Sequence, residues 1–400
     1  MTVPLFDVDL FLREYWQKRP LLIRDPWGGA GAGGWANPLE PDELAGLACE
    51  AGVEARLIIG APHGAGTGAA PALTMESGPF AAERFASLPA GPWTLLVQAV
   101  DHHVPDVAAL IAPFRFVPDW RIDDVMVSYA SDGGGVGPHY DQYDVFLVQG
   151  LGRRRWRVGP RCDAATPLLP HPDLRLIADF DASGEWVLEP GDMLYVPPGF
   201  AHDGVAMGDD CMTYSIGFRA PARADLVEEW AQARVDAMME DDRYADPDLR
   251  AATHPGEIDA AAIDRLHALV MEAMGDRAAF ARWFGAWNSQ PKYPDFDWRP
   301  EEPVTGAQVR EALGNGATLR RNPASRYAFL SEDGGTVQLF VDGERFACTG
   351  AVAALARDLC AAGASGQAGA LILAKDADAL ALIVALINRG SLALDDGMED

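Results

Sequence analysis

Residues 93–219 constrain the fold most, because they consist of short apolar segments separated by turns rich in Gly, Pro and Asp. Apolar runs of this length with turn signals between them are typical of β-strands. Since no long helical pattern separates them, the expected arrangement is antiparallel, closed as a barrel or a sandwich. The segments are WTLLVQAV, DDVMVSYA, YDVFLVQG, RRRWRVG, EWVLEPGDMLYVPP and MTYSIGFR.

Helical periodicity begins after the last of these segments. From residue 221 to about Trp287, apolar residues recur at helical spacing with charged residues between them, which predicts an α-helical segment. The next stretch, NSQPKYPDFDWRPEEP over 288–303, is rich in Pro and polar residues. This composition predicts a linker.

The last hundred residues predict a small α+β domain of winged-helix type. Helices are expected over 305–314, 350–361 and 376–389, and short strands over 327–330 and 336–341. We therefore divide the chain into a β domain with an N-terminal extension, a helical region and a winged-helix-like domain, over residues 1–220, 221–300 and 301–400.

The charge of the chain indicates its partners. Thirty-two basic residues against 59 acidic ones give a net charge of −27. Such a surface repels phosphate backbones, so we expect a basic protein partner and no direct nucleic-acid binding. The five scattered cysteines favour reduced thiols over a disulfide framework or a zinc site. With no apolar run of membrane-spanning length and no signal peptide, a cytoplasmic protein without membrane contact is predicted.

Three residues form a candidate metal site. His139 and Asp141 are two apart at the start of a predicted strand, so their side chains are expected on one face. His202 follows a Pro-Pro-Gly turn at the end of another strand. Two imidazoles and one carboxylate on one face of an octahedral ion leave three positions for a 2-oxo acid and dioxygen, as in non-haem iron(II) oxygenases. Of the other histidines, His102 and His103, which lie just past a predicted strand, are the best alternative candidates for metal ligands.

A 2-oxo acid also needs a cation for its distal carboxylate. Arg153, Arg154 and Arg155 lie just beyond the predicted turn Gly150-Leu151-Gly152. Strand alternation directs Arg154 to one face of the barrel and its two neighbours to the other. Arg154 is therefore the candidate partner of the carboxylate, by bidentate pairing.

These residues identify a family resemblance. GVGPHYDQYDVFLVQGLGRRRWRVG, EPGDMLYVPPGFAHDG and YSIGFRAP closely resemble the bacterial JmjC-type ribosomal oxygenases, the ribosomal protein arginine hydroxylases. FLREYWQKRPLLI, PDELAGLA, WTLLVQAVDHH and PDWRIDDVMVSY extend the match. The resemblance covers at least residues 6–222.

The resemblance implies a double-stranded β-helix core of the jelly-roll or cupin type, a helical dimerisation region and a C-terminal winged-helix domain. It implies iron(II) and 2-oxoglutarate as cofactors, a homodimer, and hydroxylation of an arginine in a large-subunit ribosomal protein. His139, Asp141 and His202 match the iron ligands, and Arg154 matches the residue that binds 2-oxoglutarate. Ser128 matches an assisting hydroxyl, and Ser215 is a further candidate for the same pocket.

Some alternatives stay open at this point. The substrate pocket is unassigned, although Asp132 or Asp144 could face an arginine. The same chemistry could act on a histidine or a methyl-lysine of another basic protein. A cupin-like isomerase or dioxygenase without a 2-oxo acid would normally offer His-x-His and a Glu instead of Asp141. A non-catalytic binding module, with the winged helix as its working part, is the third class.

Overall fold

The computed structural model describes residues 6–28, 34–61, 73–361 and 376–395. Within these residues, nine strands form one antiparallel sheet in the order β1-β8-β6-β9-β5-β4-β2-β3, with β7 paired to β6. The mainly β core predicted from the sequence is confirmed. The strands are β1 (Leu21–Ile23), β2 (Ala55–Ile59), β3 (Thr74–Ser77), β4 (Trp93–Val97), β5 (Ile122–Ala130), β6 (Asp144–Arg161), β7 (Gly184–Leu188), β8 (Met193–Val196) and β9 (Phe200–Phe218).

The predicted turn at Gly150-Leu151-Gly152 is wrong. YDVFLVQG and RRRWRVG form the single strand β6, because β9 runs beside it and keeps its hydrogen bonds on both sides of a bulge there. Gly152 takes a positive φ of 57° in this bulge. A Cβ at this position would lie 2.7 Å from the carbonyl oxygen of Asp210 on β9, so only glycine fits.

Strand alternation separates an apolar core from a cavity. Phe146 on β6 packs against Phe11 of the N-terminal helix α1, whereas its neighbours Val145 and Leu147 line the cavity. Short helices contribute apolar side chains to this core. The helices of this part are α1 (Val8–Glu14), α2 (Pro41–Leu47), α3 (Ala82–Ala86) and α4 (Pro105–Ala109).

The helical region follows the β core as predicted. It contains α5 (Arg223–Asp236), α6 (Ala260–Met274) and α7 (Arg277–Asn288). Helix α6 begins at its N-cap Asp259, whose side chain accepts a hydrogen bond from the amide of Ala262. None of its residues is buried in the described chain, and α6 exposes a row of large apolar side chains.

The segment predicted as a linker has no helix or strand after Asn288, but it is packed against other parts of the chain. Asn288 and Ser289 are buried, and the Asn288 carbonyl accepts a hydrogen bond from Arg219 at the end of β9. Lys292 forms ion pairs with Asp123 and Asp124 on β5. The segment is therefore packed against the β core, because its polar groups find partners there.

The C-terminal part forms a separate apolar core with mixed helices and strands. The predicted helices and both predicted strands are present, whereas three short strands were not predicted. Across the described residues, no helix is long and apolar enough to span a membrane. The elements are α8 (Gly306–Gly314), β10 (Thr318–Arg321), β11 (Tyr327–Ser331), β12 (Val337–Val341), β13 (Glu344–Cys348), α9 (Gly350–Cys360), α10 (Ala377–Asn388) and β14 (Leu392–Asp395).

Candidate metal centre and its cavity

Backbone hydrogen bonds bring the three predicted metal ligands together. The amide of His139 donates to the carbonyl of His202 at 3.0 Å, and the amide of His202 donates to the carbonyl of His139 at 2.8 Å. The carbonyl of Asp141 accepts from the amide of Gly199 at 2.7 Å. His139 and Asp141 lie just before β6, which begins at Asp144, and not within the strand as expected. An isolated bridge to His202 on β9 holds His139 instead.

The side chains of the triad present three ligand atoms to one point. These atoms lie within 4.8 Å of one another. The Oδ2 atom of Asp141 is 3.9 Å from Nε2 of His139 and 3.6 Å from Nε2 of His202. This donor set fits a metal ion that keeps open positions.

The tautomer of both imidazoles is set by backbone carbonyls. Nδ1 of His139 lies 2.8 Å from the carbonyl oxygen of Gly137, and Nδ1 of His202 lies 3.0 Å from that of Phe200. A carbonyl oxygen only accepts hydrogen bonds, so each Nδ1 carries the hydrogen. Each Nε2 therefore keeps a lone pair for a metal.

The environment of His202 also favours the ligand form. Burial, followed by the neighbouring His139, lowers the pKa of His202 to about 4. The imidazole is therefore neutral near pH 7 and needs to lose no proton when it binds a metal. Asp141 remains about a quarter exposed, so the site opens on one side.

A cavity of about 910 Å³ extends from the triad into the β core. Arg154 reaches it from β6 and is only 3% exposed, whereas Arg153 is exposed. Its Nε atom contacts Sγ of Cys211 at 3.4 Å, and its Nη2 atom has no hydrogen-bond partner among the described residues. A buried guanidinium is costly without an anion. The cavity is thus prepared for a carboxylate.

The predicted serines line the same cavity from neighbouring strands. Ser128 on β5 lies opposite Thr213 on β9, and Ser215 follows on the same face of β9. Thr213 was not predicted, although the alternation in MTYSIGF places it with Ser215. Its hydroxyl donates to Oε1 of Gln149 at 3.1 Å.

The far wall of the cavity pairs two carboxylates with cationic side chains and was missed by sequence reasoning. Nζ of Lys292 lies 2.8 Å from Oδ2 of Asp124 and 3.0 Å from Oδ2 of Asp123. Nη2 of Arg326, from the C-terminal part, lies 2.7 Å from Oδ1 of Asp123. Tyr143, between the triad and β6, also lines the cavity. The sequence signal was the pair of adjacent acids at the start of β5.

The two acids expected near the substrate lie elsewhere. Asp144 is buried, and it accepts hydrogen bonds from Tyr195 at 2.6 Å and Gln17 at 2.9 Å and pairs with Arg121 at 3.1 Å. Asp132 accepts from the amide of Gly208 at 2.6 Å. Neither lines the cavity, because both carboxylates satisfy internal donors instead.

Comparison with known families gives two matches. A JmjC domain matches residues 109–226, and a ROXA-like winged helix matches residues 271–393. The ribosomal protein uL16 3-hydroxylase of Escherichia coli strain K12 is 38% identical over 382 residues, or 95% of each chain. The chain belongs to the JmjC ribosomal oxygenase family.

Solved structures of JmjC ribosomal oxygenases support the same assignment. The X-ray structure of E. coli ycfD is 36% identical, with a TM-score of 0.85 over 98% of this chain and 99% of that one. YcfD in complex with cobalt and 2-oxoglutarate is 36% identical, with a TM-score of 0.81 over 98% and 99% of the two chains. The protein is a 2-oxoglutarate-dependent oxygenase, and the predicted fold, enzyme class and cofactors are confirmed. The cupin-like isomerase and the non-catalytic module are set aside.

Proposed function

We propose that the protein hydroxylates an arginine side chain of a large-subunit ribosomal protein, using iron(II) and 2-oxoglutarate. The observation that carries this proposal is one cavity that combines the metal-ligand triad with the buried, unpaired Arg154. The name of the E. coli relative supports uL16 as the substrate, since the identity extends over 95% of both chains.

His139, Asp141 and His202 would hold the iron through two Nε2 atoms and one carboxylate. With iron(II) and 2-oxoglutarate bound, dioxygen would be the oxidant: one of its atoms would convert a C–H bond of the substrate to C–OH, and the other would enter the succinate that forms from 2-oxoglutarate with loss of carbon dioxide. The carbonyls of Gly137 and Phe200 would keep the two imidazoles oriented, because they accept hydrogen bonds from the Nδ1–H groups and leave each Nε2 facing the metal. The chain itself positions one substrate carbon beside the open side of the triad.

Arg154 would bind the distal carboxylate of 2-oxoglutarate. The unpartnered Nη2 atom supplies a donor, and the centre of the Trp156 ring lies 5.8 Å from the guanidinium carbon. Ser128 and Ser215 add hydroxyls on the strands beside it. These contacts orient the cosubstrate and exclude water from its charged end.

The two carboxylates of the far wall would receive a cationic substrate side chain in exchange for their present partners. Asp123 and Asp124 already pair with the ammonium of Lys292 inside the cavity. An arginine that enters from the open side would compete with Lys292 for these carboxylates, which accept bidentate hydrogen bonds from guanidinium. The net charge of −27 would also attract a basic ribosomal protein over longer distances.

The helical region supports a homodimer. Val227 on α5 and Ile263, Leu266 and Val270 on α6 are all exposed in the single chain. Ile263, Leu266 and Val270 recur at helical spacing and form one stripe. A continuous apolar stripe of this kind is typical of a surface that another chain covers. We infer that a second copy covers it.

The substrate proposal is tested with peptides of uL16 and of other basic ribosomal proteins. The purified chain is incubated with iron(II), 2-oxoglutarate and each peptide, and tandem mass spectrometry locates any added oxygen atom. We expect the oxygen on an arginine and none on a matched peptide that carries lysine at that position. Oxidation of a histidine, or demethylation of a methyl-lysine, would contradict the arginine proposal and favour the alternative substrate.

A further inference from the structure

A second cavity lies where the C-terminal part of the chain meets the β core. Its volume is about 350 Å³, and five arginines from both parts line it. This is a local concentration of positive charge in a chain whose acidic residues outnumber its basic residues by 59 to 32. The arginines are Arg115, Arg219, Arg320, Arg321 and Arg326.

Shared carboxylates neutralise only part of this charge. Oδ2 of Asp119 lies 2.7 Å from Nη1 of Arg115 and 3.8 Å from Nη1 of Arg321, so one acid serves two guanidiniums. Oδ1 of Asp123 lies 2.7 Å from Nη2 of Arg326. Burial, opposed by Asp119 and reinforced by Arg321, lowers the pKa of Arg115. The positive charge of these arginines is therefore only partly compensated by their acidic partners.

The remaining acidic group of the lining adds little negative charge. Burial, followed by the charge of Asp124, raises the pKa of Asp101 to about 8. Asp101 is therefore mostly protonated near pH 7. Nη1 of Arg320 lies 3.6 Å from Oδ2 of Asp395, on the side of the C-terminal strand β14. Among the described residues of the lining, guanidiniums outnumber ionised carboxylates.

Arg219 is the least compensated of the five. It donates hydrogen bonds to the backbone carbonyls of Asn288 at 2.7 Å and Trp120 at 2.9 Å. No carboxylate pairs with it within the described chain, and its buried Nε atom has no hydrogen-bond partner there. Burial, followed by the charge of Arg326, lowers its pKa to about 10. An anion in this cavity would offset the cost of burying that charge.

We propose that this cavity, between Arg115 and Arg219 on one side and Arg320, Arg321 and Arg326 on the other, binds a small anion that carries a phosphate group. Guanidinium groups match the oxygens of phosphate with paired, charge-assisted hydrogen bonds. The volume falls in the range of about 300–1,000 Å³ that is common for small-molecule pockets. It admits a free phosphate or a phosphate monoester.

The anion site adjoins the catalytic cavity. Asp123, Arg219, Asn288 and Arg326 line both cavities. A bound phosphate would compete with Asp123 for the guanidinium of Arg326, and so change the ion pairs on the far wall of the catalytic cavity. The site would also hold the two parts of the chain together, because its arginines come from both. Neither consequence depends on which residue of the substrate is hydroxylated.

Calorimetric titration of the full chain, with its metal and 2-oxoglutarate bound, tests the proposal. Inorganic phosphate is titrated at constant ionic strength, and chloride of equal ionic strength is the reference. We expect saturable binding of one phosphate. Arg321→Gln should weaken it about tenfold or more, the loss expected from one charge-assisted hydrogen bond. Since Asp119 keeps Arg115 as a partner in this variant, the fold should be retained.

Two comparisons complete the design. Arg115→Gln removes the other partner of Asp119 and should weaken phosphate binding to a similar extent. Arg13→Gln removes one positive charge from an exposed position on α1 and should leave phosphate binding unchanged. Adenosine monophosphate distinguishes the sources: tighter binding than inorganic phosphate identifies an ester, and equal or weaker binding identifies free phosphate. Heat no greater than that of chloride, or unchanged affinity in both Arg321→Gln and Arg115→Gln, would overturn the proposal.

Discussion

The β core and the helical region depart from ordinary burial in opposite directions. In the core, charged and polar groups such as Asp124, Arg154 and His202 are each only 3% exposed. On the helical region, Met239 and Ile258 are 73% and 75% exposed. Globular proteins normally do the reverse, with apolar groups inside and charges outside.

Each departure indicates a different kind of partner. A buried charge is stable only with an opposite charge or a ligand, so the core is arranged for small, charged molecules. Exposure of an apolar stripe to water is unfavourable, and burial under another protein surface removes that cost. The helical region is therefore suited to contact with a second protein chain. We therefore propose that the core binds small charged molecules and that the helical region forms the contact with a second chain.

Removal of a metal ligand should have the largest effect. Asp141→Ala deletes the carboxylate that lies within 3.9 Å of both Nε2 atoms. We expect turnover of 2-oxoglutarate to fall by more than about a hundredfold. Mutation of residues that only hydrogen-bond to metal ligands already costs up to about a hundredfold, and loss of a ligand should cost more. The thermal midpoint of the metal-free protein should not fall, because Asp141 is partly exposed. Asp181→Ala, on an exposed loop, is the control. Retained turnover in Asp141→Ala would remove Asp141 from the site.

The next prediction concerns the unpaired cation. Arg154→Met keeps the length of the side chain and removes its charge, while Arg153→Met does the same at the exposed neighbour. We expect the KM for 2-oxoglutarate to rise about a hundredfold in Arg154→Met, or about 3 kcal/mol, because a buried charge pair is lost. Arg153→Met should match the wild type.

Stability gives a second measurement on Arg154→Met. Without cosubstrate, Arg154 is a buried charge that lacks a carboxylate among the described residues. Its replacement by Met should therefore leave the thermal midpoint of the cosubstrate-free protein equal or higher. A lower midpoint, together with an unchanged KM, would mean that Arg154 is a structural residue.

Local patterns explain why the sequence predicted the metal ligands and Arg154. Arg154 alternates with its neighbours along β6, so short-range geometry is sufficient there. His139 and Asp141 were recognised by residue type and spacing, although they lie before β6 and a bridge to His202 positions His139. The structure places these residues around one cavity, although their roles stay proposals. The same local rule failed at Gly150-Leu151-Gly152, because glycines mark bulges as well as turns.

Contacts between distant segments lay beyond the sequence. Lys292 meets Asp124 across 168 positions of the chain, and Arg326 meets Asp123 across 203. No periodicity links such residues, since tertiary packing alone brings them together. For the same reason the ion-paired far wall was missed, and Asp144, which the sequence allowed to face a substrate arginine, lies outside the cavity.

The apolar stripe of α6 can be tested by one new charge. Ile263→Asp places a carboxylate in the proposed interface, where burial without a partner is unfavourable. We expect the dimer dissociation constant to rise more than about tenfold, measured by light scattering over a concentration series. Ala268→Asp introduces the same charge on the opposite side of α6 and should leave the mass unchanged. A wild-type chain that is monomeric at all concentrations would contradict the dimer.

Asp101 is a buried polar group of the core that needs no ligand if it is protonated. The change in folding stability expected from its replacement is the smallest of these predictions. Asp101 is 2% exposed and accepts a hydrogen bond from the amide of Val125 at 2.8 Å. Burial, followed by the charge of Asp124, raises its pKa from 3.8 to about 8. Between these values the folded chain holds a proton that the unfolded chain has lost, so stability falls as pH rises from about 4 to about 8.

Asp101→Asn should remove this dependence, because the amide is neutral at every pH and its oxygen can still accept from Val125. Denaturant unfolding between pH 5 and pH 8 should show the variant gaining on the wild type by up to about 1.4 kcal/mol per pH unit. Asp106→Asn, exposed on α4, should show no such gain. If the Asp101→Asn difference is flat with pH, the carboxyl is ionised in the folded chain and must have a cationic partner. Asp101 would then be a buried charge that requires an opposite charge, as Arg154 does, and not a neutral buried carboxyl.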